Sequence, residues 1–283
     1  PAEEVKKYVE GLGFEDMDIV VTSKNTYTAP FVNSEESEYL VMEDDFKNGR
    51  PDFTKAGVFL TDRDTVNKVE TMKVTTCLNP LHTVLATYGC VLGHTTIAEE
   101  MQDEDLVKLI KKIGYDEGLK VVVDPGIINP KDFIDEVINV RFPNKFMPDT
   151  PQRIATDTSQ KISVRFGQTI KGYIKDKDLK VEDLKFIPLA LAGYLRYLLG
   201  VNDEGEAFEL SSDPLMDYLK ESLDGITLGN FEVTEGLKDI LRNKEIFGLD
   251  LEEVGLDKIV TDYFEELSAG PGSVRATLEK YLG

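Results

Sequence analysis

Glu70-Thr-Met-Lys-Val-Thr-Thr-Cys-Leu-Asn-Pro-Leu-His-Thr-Val-Leu-Ala86 sets one lysine, one asparagine and one of the chain's two histidines in a run of mainly apolar and small residues. Asn79 and His82 share a face on a helix, and Lys73 lies within three turns of both. A lysine in apolar company has a lowered pKa, which suits a general base, while asparagine and neutral histidine can hold a polarised oxygen. Upstream, Asp64 can cap a helix in which Val66, Val69, Met72, Lys73 and Thr76 recur at helical spacing. Downstream, Asn79 before Pro80 predicts a break or kink and a new helix, capped by Asn79 and running through Leu85, Tyr88 and Leu92 to about Met101. Apolar residues on most of its sides predict deep burial.

Helical patterns continue beyond it: about 104–113, 130–140 capped by Asn129, 159–174, 182–199 with a kink at Pro188, 213–222 capped by Ser212, and about 234–244, then helical pieces to the C-terminus. Residues 1–63 read differently. Pro1–Leu12 is an amphipathic helix, and Asp18–Thr22, Glu38–Met42 and Gly57–Thr61 are short strand candidates with turn residues Asn48, Gly49 and Pro51 between the last two. The expected fold class is therefore mainly α: a multi-helical domain over 64–283, preceded by a small α/β segment over 1–63.

The balance of 53 acidic against 32 basic residues, net −21, disfavours partners with phosphate backbones or anionic membrane surfaces, so neither nucleic acid nor a membrane is expected. No apolar run approaches the ~18 residues of a membrane span, and the charged first residues are unlike a signal peptide. Cys77 and Cys90 lie in apolar helical sequence without zinc spacing, which reads as reduced core cysteines in a cytoplasmic protein. The opening without methionine reads as a chain cut from a longer protein or processed. Gly11–Gly13 and Gly270–Gly272 lack the strand and helix context of a dinucleotide loop, so no cofactor-binding residue is expected in this chain, nor any metal ligand.

A second polar concentration runs from Asp149 to Phe166, with Arg153, Asp157, Ser159, Lys161 and Arg165 in a chain otherwise short of positive charge. One reading is a pocket wall pairing cations with a substrate's hydroxyls or carboxylate; the other is an ordinary surface pair, Arg153 with Asp157. Singly, His82 and Lys73 also have structural explanations, as a core histidine and a solvated helix residue. His94, after Gly93, reads as structural.

Lys73…Asn79-x-x-His82, followed by Arg141-Phe-Pro-Asn-Lys-Phe-Met-Pro-Asp-Thr-Pro-Gln-Arg-Ile-Ala-Thr-Asp-Thr-Ser-Gln-Lys161, resembles the long-chain mannitol dehydrogenase family, which includes mannitol 2-dehydrogenase, fructuronate reductase and tagaturonate reductase. The resemblance extends through Glu43–Pro51, Leu189–Gly200 and Ile246–Leu251. It implies a zinc-independent oxidoreductase in which a Rossmann domain binds NAD or NADP and a helical C-terminal domain supplies the catalytic residues. Carried over, Lys73 is the general acid/base, Asn79 and His82 position and polarise the reacting oxygen, and Arg153 and Lys161 contact substrate. Hydride would pass between the nicotinamide and a keto-sugar acid or polyol: D-fructuronate and D-mannonate first, mannitol second, with a non-catalytic helical interaction domain as the rival from another class. The resemblance makes residues 1–63 the end of a dinucleotide-binding domain, and implies that the N-terminal Rossmann domain is this chain's partner and that the chain alone is inactive. Two departures stand out. Six steps separate Lys73 from Asn79 where the family has five, and Pro80 replaces a small residue. Either a one-residue bulge absorbs the extra step or Lys73 is turned off the site.

Overall fold

The first amphipathic pattern forms helix α1 (Ala2–Gly11) in the computed structural model, which describes residues 2–15, 20–21, 27–28, 40–147 and 149–283. Within the predicted strand 18–22, β1 (Val20–Val21) pairs antiparallel with β2 (Tyr27–Thr28); the rest of that strand, and Glu38–Tyr39 of the next, lie outside the described residues. Residues 1–39 form one compact unit and residues 40–283 another. In the second unit β3 (Val41–Glu43) runs parallel to β4 (Phe59–Thr61), with Val41 opposite Phe59.

Helices then follow without further strands of any length: α2 (Arg63–Met72), α3 (Asn79–Leu92), α4 (Ile97–Glu100), α5 (Glu104–Lys111), α6 (Pro130–Glu136), α7 (Pro151–Ala155), α8 (Phe166–Lys175) and α9 (Phe186–Tyr197). The last five are α10 (Met216–Ser222), α11 (Glu235–Arg242), α12 (Lys244–Phe247), α13 (Asp257–Leu267) and α14 (Ser273–Leu282). The mainly α class expected from residue 64 onward is what the chain adopts. Among the described residues no helix is long and apolar enough to cross a membrane.

Several boundaries differ from the sequence reading, each for a local reason. Asp62 rather than Asp64 caps α2, accepting from the Thr65 amide at 2.8 Å; Asp64 sits in the first turn, where its charge suits the helix dipole. Helix α3 starts at Asn79 without a side-chain cap, and it stops at Leu92 because Gly93 turns left-handed at φ 77°. The chain restarts at α4 through a capping box in which the Glu99 amide donates to Thr96 Oγ1 and the Thr96 amide donates to Glu99 Oε2. The helix expected over 159–174 begins only at Phe166, because Asp157 adopts a left-handed conformation at φ 53° and its amide leaves to the Ser212 carbonyl. Pro188 falls in the first turn of α9, where no intrahelical amide is needed, so it does not kink the helix. Ser212 gives way to Asp213, whose carboxylate accepts from the Leu215 amide just ahead of α10. Asn129 caps α6 as expected.

Helices α3 and α9 form the centre. From Pro80 to Val91 every side chain of α3 is buried, and α9 is buried from Ile187 to Tyr197. The Tyr88 hydroxyl donates to the Leu189 carbonyl at 2.9 Å, and Gly193 leaves the space that the Tyr88 ring fills: a Cβ there would come within 2.2 Å of Tyr88 Cε2. Glu117, reaching from another element, caps α9 by accepting from the amides of Lys185, Phe186 and Ile187 at 2.7–2.8 Å. Arg196, wholly buried, satisfies three carbonyls, those of Leu267, Val201 and Asn202. These ties fix α3, and with it the segment quoted first.

Candidate active site

Between α2 and α3 the chain winds as a π-helical turn, Lys73–Cys77, closed by the Leu78 amide donating to the Lys73 carbonyl five residues back at 3.1 Å. A π-turn holds one residue more than an α-turn. The six steps from Lys73 to Asn79 therefore run through a widened turn. Thr169 Oγ1 on α8 donates to the Thr75 carbonyl at 3.2 Å and so supports the widened turn. Lys73 is partly buried, and its ammonium meets Glu70 Oε2 at 2.5 Å. Asn79, in the first turn of α3, lends its carbonyl to Thr83 Oγ1 at 2.9 Å and to Arg165 Nη1 at 3.3 Å.

His82 lies on the next turn. It is 8% exposed, and its ring packs on that of Phe142 with centroids 5.1 Å apart. Phe142 arrives at the end of another π-turn, Val137–Arg141, closed by its own amide on the Val137 carbonyl. Asp149 Oδ2 stands 3.5 Å from His82 Nε2, and that nitrogen is buried with no hydrogen-bond partner. Asp149 instead pairs with Arg153, one turn along α7. Arg153 thus meets Asp149, not Asp157 as the surface-pair reading had it.

Four cations act on His82. Burial lowers its pKa most, followed by Arg141, Arg165, Arg153 and Lys161, and together they bring it to about 3. The imidazole is accordingly neutral at neutral pH, with an orphan Nε2 ready to take a partner. Lys161 donates to the carbonyls of Ile154 and Thr156, and burial, then the charge of Arg165, holds it below the usual lysine value. Ser159 and Asp213 buttress the turn between them: the Ser159 amide and hydroxyl both donate to the Asp213 carboxylate, at 2.8 and 2.5 Å.

The structure thus gathers His82, Arg153 and Lys161 about one point, with Asn79 one turn away. It adds Asp149, Arg141 and Arg165, which the sequence reading left unassigned. Their signal was present in the second polar stretch, but side chains from separate turns meet only after α3 and α7 pack. Two clefts, of about 600 and 640 Å³, lie elsewhere, one beside α10 and one between the Lys73–Cys77 turn and α8; neither is lined by Asn79, His82, Arg153 or Lys161. Glu70, partner of Lys73, lines the second.

The β4–α2 turn does not have the form of a dinucleotide loop. The turn from β4 to α2 is Thr61–Asp62, without glycine, and the Asp62 carboxylate already occupies the helix N-terminus where a pyrophosphate would sit. Among the described residues no three metal-ligating side chains converge.

Residues 65–268 match the mannitol dehydrogenase C-terminal domain. Over 286 aligned residues the chain is 54% identical to the D-mannonate oxidoreductase of Thermotoga maritima, covering all of this chain and 53% of that protein. It is 30% identical over 231 residues to the polyol:NADP oxidoreductase of Gluconobacter oxydans, covering 81% of this chain and 45% of the relative. Among solved structures it is similar to Pseudomonas fluorescens mannitol 2-dehydrogenase in ternary complex with NAD and D-mannitol, with a TM-score of 0.73 at 22% identity over 94% of this chain and 53% of that one, a likeness of fold. The chain spans about half the length of the curated relatives it matches.

Proposed function

This chain belongs to the mannitol dehydrogenase family through its C-terminal domain, and from that premise we propose that it is the substrate-binding and proton-handling part of an NAD(P)-dependent oxidoreductase acting on a sugar acid, D-fructuronate and D-mannonate, in the manner of fructuronate reductase. One observation carries the choice of substrate. In a chain of net charge −21, four cationic side chains act on His82, outnumbering the Asp149 carboxylate that stands 3.5 Å from its Nε2. Such a concentration suits a ligand with a carboxylate better than a neutral polyol. The strong identity to a D-mannonate oxidoreductase supports the same choice.

The nicotinamide supplies the hydride chemistry and is held by a Rossmann-type domain beyond the described fold, with residues 1–63 as the end of that domain; by itself the chain is inactive. Lys73 Nζ gives a proton to the reacting oxygen on reduction and takes it back on oxidation, with Glu70 holding the ammonium in place. His82, with its pKa near 3, does not carry that proton at neutral pH; its Nε2 pairs with a substrate hydroxyl and orients it. Asn79 holds the reacting oxygen, and Arg153 and Lys161 contact the remaining polar groups.

The test is NADH and NADPH oxidation by the intact enzyme that carries this chain, with fructuronate and fructose offered side by side. Preference for fructuronate, lost in Lys73→Ala and His82→Ala, is expected. Preference for fructose would make this a polyol dehydrogenase, and turnover of neither would favour a non-catalytic helical domain.

A further inference from the structure

Arg165 differs from Arg153 and Lys161 in what surrounds it, and like Arg141 it has a buried Nε. It is partly buried between α3 and the start of α8, and one guanidinium nitrogen, Nη1, is tied to the Asn79 carbonyl and to Thr83 Oγ1. Those two acceptors lie four residues apart along α3 and flank His82. Nε is buried with no hydrogen-bond partner, and among the described residues no group accepts from Nη2. Arg153, by contrast, is paired with Asp149, and the Lys161 ammonium is spent on two carbonyls. Burial lowers Arg165 to about 10, with no carboxylate among the described residues offsetting it. Leaving a guanidinium enclosed without a counter-charge is costly, and a bidentate carboxylate removes that cost.

We propose that Arg165 is the seat of the substrate's carboxylate, its Nε–Nη2 edge left without partners for the two carboxylate oxygens while Nη1 anchors it to the first turn of α3. The inference rests on the sugar-acid reading above and deepens it, because it assigns selectivity between acid and polyol to one residue. It also connects recognition to catalysis: the residues that hold the anchor, Asn79 and Thr83, bracket His82 on the same helix. Nη2 is the donor that an incoming anion meets first. Nε, closed to solvent, engages as the side chain settles around the ligand.

The experiment is selectivity, read as the ratio of kcat/KM for fructuronate to that for fructose, in the intact enzyme with saturating NADH. Arg165→Met is expected to lower this ratio at least tenfold, and Arg165→Lys, which keeps the charge but loses the fork, to lower it less. An unchanged ratio in Arg165→Met overturns the seat while leaving the sugar-acid reading intact. A wild-type enzyme that prefers fructose overturns the reading itself, and the seat with it. Should Arg165→Met fail to fold, the ¹⁵Nε resonance of Arg165 in the wild-type protein, assigned with Arg165→Lys, decides. It is expected to move on saturation with D-mannonate and to stay still with D-mannitol; no movement with D-mannonate refutes the seat.

Discussion

Lowering the pH should destabilise this chain through His82. Its ring is 8% exposed, burial and four neighbouring cations bring its pKa to about 3, and an unfolded histidine titrates near 6.5. Between those values the unfolded chain binds a proton that the folded chain refuses, so stability rises with pH across the window and is lost on descending through it. The full shift corresponds to at most about 5 kcal/mol, and the accessible step from pH 7 to pH 5 to about 2 kcal/mol. The assay is urea unfolding followed by circular dichroism from pH 7 to pH 5, for the wild type and His82→Gln. Burial of Glu100, which raises its pKa, adds a pH dependence of its own, so the quantity to read is the difference between the two curves. The variant is expected to lose about 2 kcal/mol less over that step. Parallel curves would refute the reasoning, as would an imidazole resonance of His82 titrating near 6.5. With only His94 as a second histidine, the assignment is direct. A bound carboxylate would offset the cations and raise the pKa of His82, so saturating D-mannonate should shrink the pH dependence.

Two further outcomes test the frame that carries the site. Glu100 is wholly buried where α3 meets α7: its carboxyl oxygens lack partners, and its Oε1 lies 1.9 Å from where a Cβ on Gly89 would be. Burial raises its pKa well above the usual value, so the folded chain keeps a proton that the unfolded chain loses, and stability falls as pH rises above about 4.5. Glu100→Gln should therefore gain about 1–3 kcal/mol at pH 8 and little at pH 4.5, measured by urea denaturation; an equal effect at both would count against a buried neutral carboxyl. Glu117→Ala should cost about 1–3 kcal/mol, because three amides at the start of α9 lose their acceptor, and Glu117→Gln should cost less since it keeps one. A thermal melt that leaves Glu117→Ala at the wild-type Tm would show those amides to be satisfied otherwise.

Much of the helical order was legible in the residues, because apolar spacing and caps such as Asn129 act locally. Three π-turns, Lys73–Cys77, Lys112–Glu117 and Val137–Arg141, were not. A π-turn has no composition of its own; it forms where one extra residue must fit between elements already held at both ends. The extra step between Lys73 and Asn79 hinted at the first of them, since a count that breaks a known spacing calls for a bulge. The early stop of α3 at Gly93 and the late start of α8 came from left-handed residues, and nothing in an aspartate such as Asp157 announces that conformation.

By itself the sequence determined that the chain is mainly helical beyond residue 64 and that α3 is deeply buried, because periodicity and composition are local quantities. The roles expected of Lys73, Asn79, His82, Arg153 and Lys161 came instead from the resemblance to a family. Only the tertiary structure decided which charges meet. Asp149 pairs with Arg153 and stops 3.5 Å from His82, and Arg165 ties itself to α3 across more than eighty residues of sequence, leaving the rest of its guanidinium without a partner. Charge pairing falls steeply with distance and with access to water, and both are set by how α3, α7 and the turns between them pack.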